Sequence, residues 1–188
     1  MKTLIFACRL EADSFIEKFE FKQISEHPFE VFKSDDALLY VSGIGPLAAA
    51  LCANYAVNQG ATKILNAGAC GDLKCKHELG TVLEVSSIIS NEPYCGKSFD
   101  LQGGGATLIT SSRPVDTDGE RAALSTKADV VDMEAYGISS ALALNNFDFS
   151  NFKAIKFVSD FSQTCDIEAN IRANIGCLAP HIATWMDS

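Results

Sequence analysis

Two acidic residues stand at the ends of apolar, strand-like runs. Val130 and Val131 lead through Asp132 and Met133 into Glu134, and Ala154, Ile155, Phe157 and Val158 lead through Ser159 into Asp160. In parallel α/β sheets, ligands gather outside the carboxyl ends of the strands. Two acids delivered to one sheet edge could divide the labour. One would accept hydrogen bonds from a polyhydroxyl substrate, and the other, protonated, would donate a proton. Each acid also has a plainer reading taken singly, Glu134 as a first-turn helix acid and Asp160 as a loop residue or N-cap.

The elements that position these acids follow an alternating pattern. A strand near Thr3–Cys8 precedes a helix over about Glu11–Glu20. Two strands, near Phe29–Lys33 and Ala37–Ser42, flank the hairpin signal Ser34-Asp35-Asp36. Pro46 opens a small-residue helix that Gly60 ends. Strands are expected at Lys63–Asn66, Gly80–Ile89, Ala106–Thr110, Ala128–Val131 and Lys153–Ser159. Helices are expected at Thr117–Ser125, Glu134–Leu144 and Ile167–Trp185, the last interrupted near Pro180. Ser90–Gly105, with Pro93, Gly96 and Gly103-Gly104-Gly105, reads as a loop. Alternating strands and helices predict an α/β fold, a single-domain three-layer sandwich over residues 1–188. Its central sheet is mixed and largely parallel.

Composition excludes several function classes. The chain has 188 residues and a formal net charge of −9. A surface this acidic cannot displace counterions from phosphates, so nucleic acid is not the expected partner. No apolar run approaches the roughly 18 residues of a membrane span. The apolar stretch at the N-terminus is short, and charge returns at Arg9, Glu11 and Asp13, so it reads as a buried first strand and not as a signal peptide. Seven scattered cysteines form no Cys-x-x-Cys pair. They read as reduced thiols of a cytoplasmic protein. Cys70, Cys75 and His77 lie close in sequence, but their spacing fits no common zinc pattern. His77 and His181 read as structural or exposed, and His27 falls in a turn beside Pro28.

Two glycine-bearing turns add to the picture. Ser42-Gly43-Ile44-Gly45-Pro46 leaves a strand and opens a helix, where free N–H groups can meet a ligand. It lacks the Gly-Lys-Ser/Thr of a phosphate loop. Asn66-Ala67-Gly68-Ala69-Cys70-Gly71 is a second close-approach turn. Each alone is an ordinary strand-to-helix turn. In order, however, Gly-Ile-Gly-x-x-x-Ala-Ala, Asn-Ala-Gly-x-x-Gly, Gly-x-Val, Asp-Met-Glu-Ala and Val-Ser-Asp resemble the nucleoside phosphorylase/nucleosidase superfamily. The branch that includes methylthioadenosine/S-adenosylhomocysteine nucleosidases and futalosine hydrolase is the most similar, from the first strand to about Ser162.

The resemblance implies roles residue by residue. Glu134 would accept hydrogen bonds from ribose hydroxyls, with Met133 packed against the sugar. Asp160 would protonate the leaving purine, oriented by Ser159. Glu11 would hold or activate the attacking water. Gly43, Ile44 and Ala69 would lie near the ribose and water pocket, with Arg113 and Val115 on the substrate side. The implied ligand is a small-molecule nucleoside, with no metal or organic cofactor, and the implied assembly is a homodimer or larger homo-oligomer. Glu11 beside Arg9 favours water over phosphate as nucleophile, because phosphorylases need cations to hold phosphate. Phosphorolysis, and nucleoside binding with little catalysis, are the alternatives.

The departures from the family are specific. Pro114 stands where adenine-binding relatives carry a stacking phenylalanine, and Arg113 adds a charge that could meet a polar substituent or simply face solvent. Phe99 and Asp100 are candidates for the missing base contacts. Lys156 stands where relatives often carry arginine. It could pair with a site carboxylate or keep its head in solvent.

Overall fold

The computed structural model describes residues 1–93, 96–161 and 166–188. The thiol reading for Cys95 and Cys165 and the Ser162 end of the resemblance lie outside the described residues. The described chain is a mixed sheet between two helical layers. Its strands are β1 (Lys2–Phe6), β2 (Lys22–Ser25), β3 (Glu30–Lys33), β4 (Ala37–Val41), β5 (Lys63–Asp72), β6 (Val82–Ser90), β7 (Phe99–Asp100), β8 (Ala106–Thr110), β9 (Val130–Asp132) and β10 (Phe152–Asp160). Its helices are α1 (Arg9–Lys18), α2 (Pro46–Asn58), α3 (Asp118–Ser125), α4 (Ala135–Leu144), α5 (Ile167–Asn174) and α6 (Ala179–Asp187).

Strands β4, β1, β5 and β10 run parallel in that order. Successive residues along them face opposite layers, as the pleat requires. Ile5, Leu38, Tyr40 and Ile64 pack under α2 and α4, whereas Leu4, Phe6, Leu39 and Leu65 pack under α1, α5 and α6. A third cluster, built from Leu73, Ile109, Leu124 and Val131, seats α3. No helix among the described residues is long and apolar enough to cross a membrane.

Strand β5 organises the sheet. Its first half pairs with β1, and it pairs with β10 along nearly its whole length. Beyond the end of β1, Gly71 and Asp72 pair antiparallel with Val131 and Val130 of β9. Strands β6, β8 and β9 are parallel to one another, and β10 pairs antiparallel with β6. The segment Asn66–Gly71 is therefore strand, where sequence patterning indicates a turn. Its small residues give no β signal, and ladder pairing with β10 overrides that. Glu134 also reaches the centre from the opposite direction to Asp160, because β9 runs against β5, so the two acids do not share one carboxyl edge of a parallel sheet.

Other differences have plain causes. β2 is a polar, exposed edge strand with no apolar alternation to reveal it. β7 is two residues paired to β6 inside the expected loop. The closing helix divides at a 3-10 turn, Ile175–Leu178, ahead of Pro180.

Helices α2 and α4 pack closely because Gly137 lacks a side chain. A Cβ there would lie 2.0 Å from the Pro46 carbonyl oxygen, a rigid backbone atom. Gly137→Ala is expected to destabilise the fold by at least about 2 kcal/mol in urea unfolding, as overpacking against backbone does. Gly119→Ala, where an added Cβ meets nothing within 4 Å, is expected to fall within about 0.5 kcal/mol of wild type or to stabilise. Equal effects of the two substitutions would contradict this packing account.

Candidate active site

A cavity of about 230 Å³ opens where β5, β9 and β10 meet the N-terminal ends of α1 and α4. Glu11, Glu134 and Asp160 line it, with Met133, Ser159 and Ala69 between them. Ile44, Arg113 and Val115 also line it. Gly43 does not; from its turn Ile44 lines the cavity, and Gly45 only donates its N–H to Glu134. Pro114, Ile167 and Ile171 complete an apolar wall. Phe99, by contrast, packs on Tyr136 and Phe149, and neither it nor Asp100 reaches the cavity.

Glu11 sits on the first turn of α1 and is 6% exposed. Its Oε1 accepts from the Ala69 N–H at 2.8 Å and its Oε2 from the Ala7 N–H at 3.2 Å. Gly68 makes room for it, since a Cβ there would meet both carboxylate oxygens at 2.9 Å. Burial pushes the Glu11 carboxyl up from its ordinary pKa, against the two N–H groups and Lys156.

Glu134 is the N-cap of α4, but its side chain does not cap its own helix. Asp132 does that work, accepting the Ala135 N–H at 2.9 Å, while the Tyr136 N–H donates to Thr110 Oγ1. Glu134 is thereby free to reach across to α2, where its Oε1 accepts the Gly45 N–H at 2.9 Å. Helix α2 has no acid in its own first turn, so Glu134 supplies the negative charge its N-terminus favours. Gly45 holds φ at 103°, which aims this N–H and suits glycine. Burial first, then Asp132, pushes the Glu134 carboxyl up to about 7, against Lys156 and the Gly45 N–H.

Asp160 is 7% exposed at the end of β10. The register with β5 slips between Val158 and Asp160, and Ser159 and Asp160 both line the cavity. Ser159 Oγ lies 2.7 Å from Asp160 Oδ2 and 3.2 Å from the Cys70 carbonyl oxygen. The Asn170 amide donates to the Ser159 carbonyl at 3.0 Å and ties α5 to this strand end.

The cations are mostly committed elsewhere. Arg9 pairs with Asp13 and, at 2.8 Å, with Glu30, and it lies over the Phe32 ring. Arg113 stands at the cavity mouth with its side chain 65% exposed, held by Glu120 at 2.7 Å and 3.2 Å. Lys156 is fully buried and pairs with Asp132 at 2.8 Å, so the site-carboxylate reading of this residue holds. Cys70 is buried and Cys75 exposed, while His77 bonds Asp72 at 2.9 Å in the turn after β5.

Sequence reasoning missed Asp132 and Gly68 as contributors, although both lie inside the quoted motifs. It also missed Ile167 and Ile171, whose i, i+4 spacing on α5 was the available signal.

The architecture matches known structures. It superimposes on futalosine hydrolase of Helicobacter pylori strain 26695 with a TM-score of 0.88 at 14% identity, over 99% of this chain and 97% of that one. It superimposes on the methylthioadenosine/S-adenosylhomocysteine nucleosidase of Colwellia psychrerythraea 34H, in complex with adenine, with a TM-score of 0.87 at 16% identity, over 99% and 94%. The corresponding Neisseria meningitidis enzyme, in complex with methylthio-immucillin-A, gives 0.82 at 20% identity, over 97% and 96%. The fold is that of the nucleosidases. No family model and no curated protein matches the sequence.

The raised Glu134 pKa has a consequence for stability. Between the ordinary carboxyl value near 4.5 and about 7, the folded state holds a proton that the unfolded state has released. Stability therefore falls as pH rises through this window, and the penalty is complete above about 7. Glu134→Gln removes it. The variant is expected to gain on wild type by on the order of 3 kcal/mol across this window, at about 1.4 kcal/mol for each pH unit. Parallel stability–pH curves from chemical denaturation would contradict the assignment.

Proposed function

We propose that this chain is a nucleosidase that hydrolyses the N-glycosidic bond of a purine-type nucleoside. The observation that carries the reading is the convergence of Glu11, Glu134 and Asp160 on one apolar-walled cavity. Nucleosidase folds, two of them holding adenine or a methylthio-nucleoside analogue, support the substrate class.

Cleavage needs the leaving base neutralised and the sugar allowed to become cation-like. Asp160 protonates the base as the glycosidic bond breaks. Glu134 accepts from the sugar hydroxyls through its free oxygen, with Met133 against the sugar ring. Glu11, held by two N–H groups, retains lone pairs for the attacking water and takes its proton. The negative charge of the two glutamates suits the developing positive sugar.

Water is favoured as nucleophile because phosphate would need free cations. Among the described residues Arg113 is the one cationic side chain lining the cavity, and Glu120 occupies it. The reading includes a homo-oligomer, supported by the exposed apolar stripe Ile44, Leu47 and Leu51 leading out of the cavity along α2. The aliphatic wall of Pro114, Val115, Ile167 and Ile171 would accept a flat base without ring stacking.

The test is a phosphate-free incubation with methylthioadenosine, S-adenosylhomocysteine, adenosine, inosine and futalosine, with free base detected by chromatography. Base release is expected with at least one of them. Asp160→Asn is expected to lower turnover by roughly 10²–10⁴-fold with modest loss of binding, the range for a lost proton donor. Glu134→Gln is expected to weaken binding and rate together. No release from any nucleoside, or affinity falling as far as rate in Asp160→Asn, would sink the general-acid mechanism.

A further inference from the structure

Three lysines stand at the start of three parallel strands. Lys2 opens β1 and is the ladder partner of Lys63, which opens β5, and Lys153 is the second residue of β10. Each lies two residues before a core residue of the α6 side, Leu4, Leu65 or Ile155, so the pleat puts all three on that face. The end of α6 uses two of them. Lys2 Nζ donates to the Met186 carbonyl. Lys63 Nζ donates to Ser188 Oγ at 2.6 Å and lies 5.7 Å over the Trp185 ring. Cations at a helix C-terminus are favoured there. Lys153 is exposed and, among the described residues, is in no ion pair.

Lys153 lines a second cavity, of about 240 Å³, between α6 and the β10–β6 pair. Its floor is apolar: Ile155 and Trp185 line it and are 3% and 4% exposed. Pro180, His181 and Thr184 line it from α6, and Glu84 from β6. Glu84 is the ladder partner of Ile155, so it shares that face and stands diagonal to Lys153. It too is in no ion pair among the described residues. This cavity is separate from the one that holds the acids. Lys153 and Asp160 stand at opposite ends of β10, roughly 23 Å apart at about 3.3 Å per residue.

The lining leaves three polar groups over. Lys153 and Glu84 are a cation and an acid without ion-pair partners. Trp185 Nε1 is buried with no hydrogen-bond partner among the described residues, and buried donors are nearly always paired. Burial first, then Lys2 and Lys153, holds the Lys63 ammonium below its ordinary pKa, so this end of the sheet favours a negative group. Glu84 favours a positive one. A simple anion would face Glu84, and a simple cation would face Lys153. A ligand that carries both charges on an apolar body matches the whole lining.

We propose that the groove between α6 and the β10–β6 pair binds a small zwitterion, an α-amino acid with an aliphatic side chain. Its carboxylate lies toward Lys153, its ammonium toward Glu84, and its side chain on Ile155 and Trp185. The site does not depend on the nucleosidase reading.

Trp185 is the one tryptophan of the chain, so its fluorescence and its indole ¹⁵N–H resonance both report on this groove. The whole protein is titrated with L-leucine, with 4-methylpentanoate, which keeps the carboxylate alone, and with 3-methylbutylamine, which keeps the ammonium alone. Inorganic phosphate is the fourth probe. Leucine is expected to give a saturable change in both signals, and each single-charge probe to bind at least about tenfold more weakly. Phosphate is expected to change neither signal. Lys153→Met is expected to weaken leucine about tenfold and leave the amine unchanged. Glu84→Gln is expected to weaken leucine similarly and leave 4-methylpentanoate unchanged. Both residues are exposed, so both variants are expected to fold as wild type does. No saturation with leucine by roughly 10 mM, beyond the range of specific binding, would overturn the proposal. So would equal leucine affinity in wild type and either variant. Phosphate or 4-methylpentanoate binding as tightly as leucine would make this an anion site and would overturn the zwitterion assignment.

Discussion

Carboxylates taken out of water must find donors, and this one requirement shapes the centre of the molecule. Glu11, Asp132, Glu134 and Asp160 are all buried within one sheet region. An isolated buried carboxylate is costly enough that it neutralises or leaves. Here the donors are mainly backbone N–H groups at Ala7, Ala69, Gly45 and Ala135, with Thr110, Ser159 and one lysine. Main-chain donors are fixed by the elements that carry them. The acids are therefore held by the fold itself, and a ligand meets acceptors already in place.

The close approaches in the structure follow from that requirement. A backbone N–H can serve a carboxylate only if the two chains nearly touch. Gly68 lets Glu11 lie against β5, and Gly137 lets the start of α2 lie against α4, which brings the Gly45 N–H within reach of Glu134. The length of β5 serves the same end. It carries the chain past β1 so that β9 can join it in reverse and present Asp132 and Glu134 from the far side. Asp132 then relieves Glu134 of the ordinary work of an acid at a helix start.

Much of this was legible in the sequence, for identifiable reasons. The alternating layers could be read because β1, β4 and β10 are apolar and α2 and α4 are small-residue helices bounded by proline and glycine. Glu134 and Asp160 could be read because each closes such a run. Glu11 was legible only through the resemblance, since an acid in a first helical turn is ordinary by itself. What could not be read was tertiary in origin. No local pattern reveals that Asn66–Gly71 is strand, because its residues are small and its pairing partner lies over eighty positions away. Nor does the sequence show that β9 runs against β5. Nor does the sequence show that Arg9 pairs with Glu30, distant in the chain. The partner of Lys156 was open for the same reason, and burial against Asp132 decides it.

The proposed chemistry needs a cavity furnished for water and not for phosphate. The most direct measurement is base cleavage in ¹⁸O-labelled water with excess inorganic phosphate present, reading the sugar product by mass spectrometry. A sugar carrying one ¹⁸O atom and no sugar phosphate is the predicted result. A sugar 1-phosphate would mean that phosphate finds a cation in this site after all, and would contradict the hydrolytic mechanism.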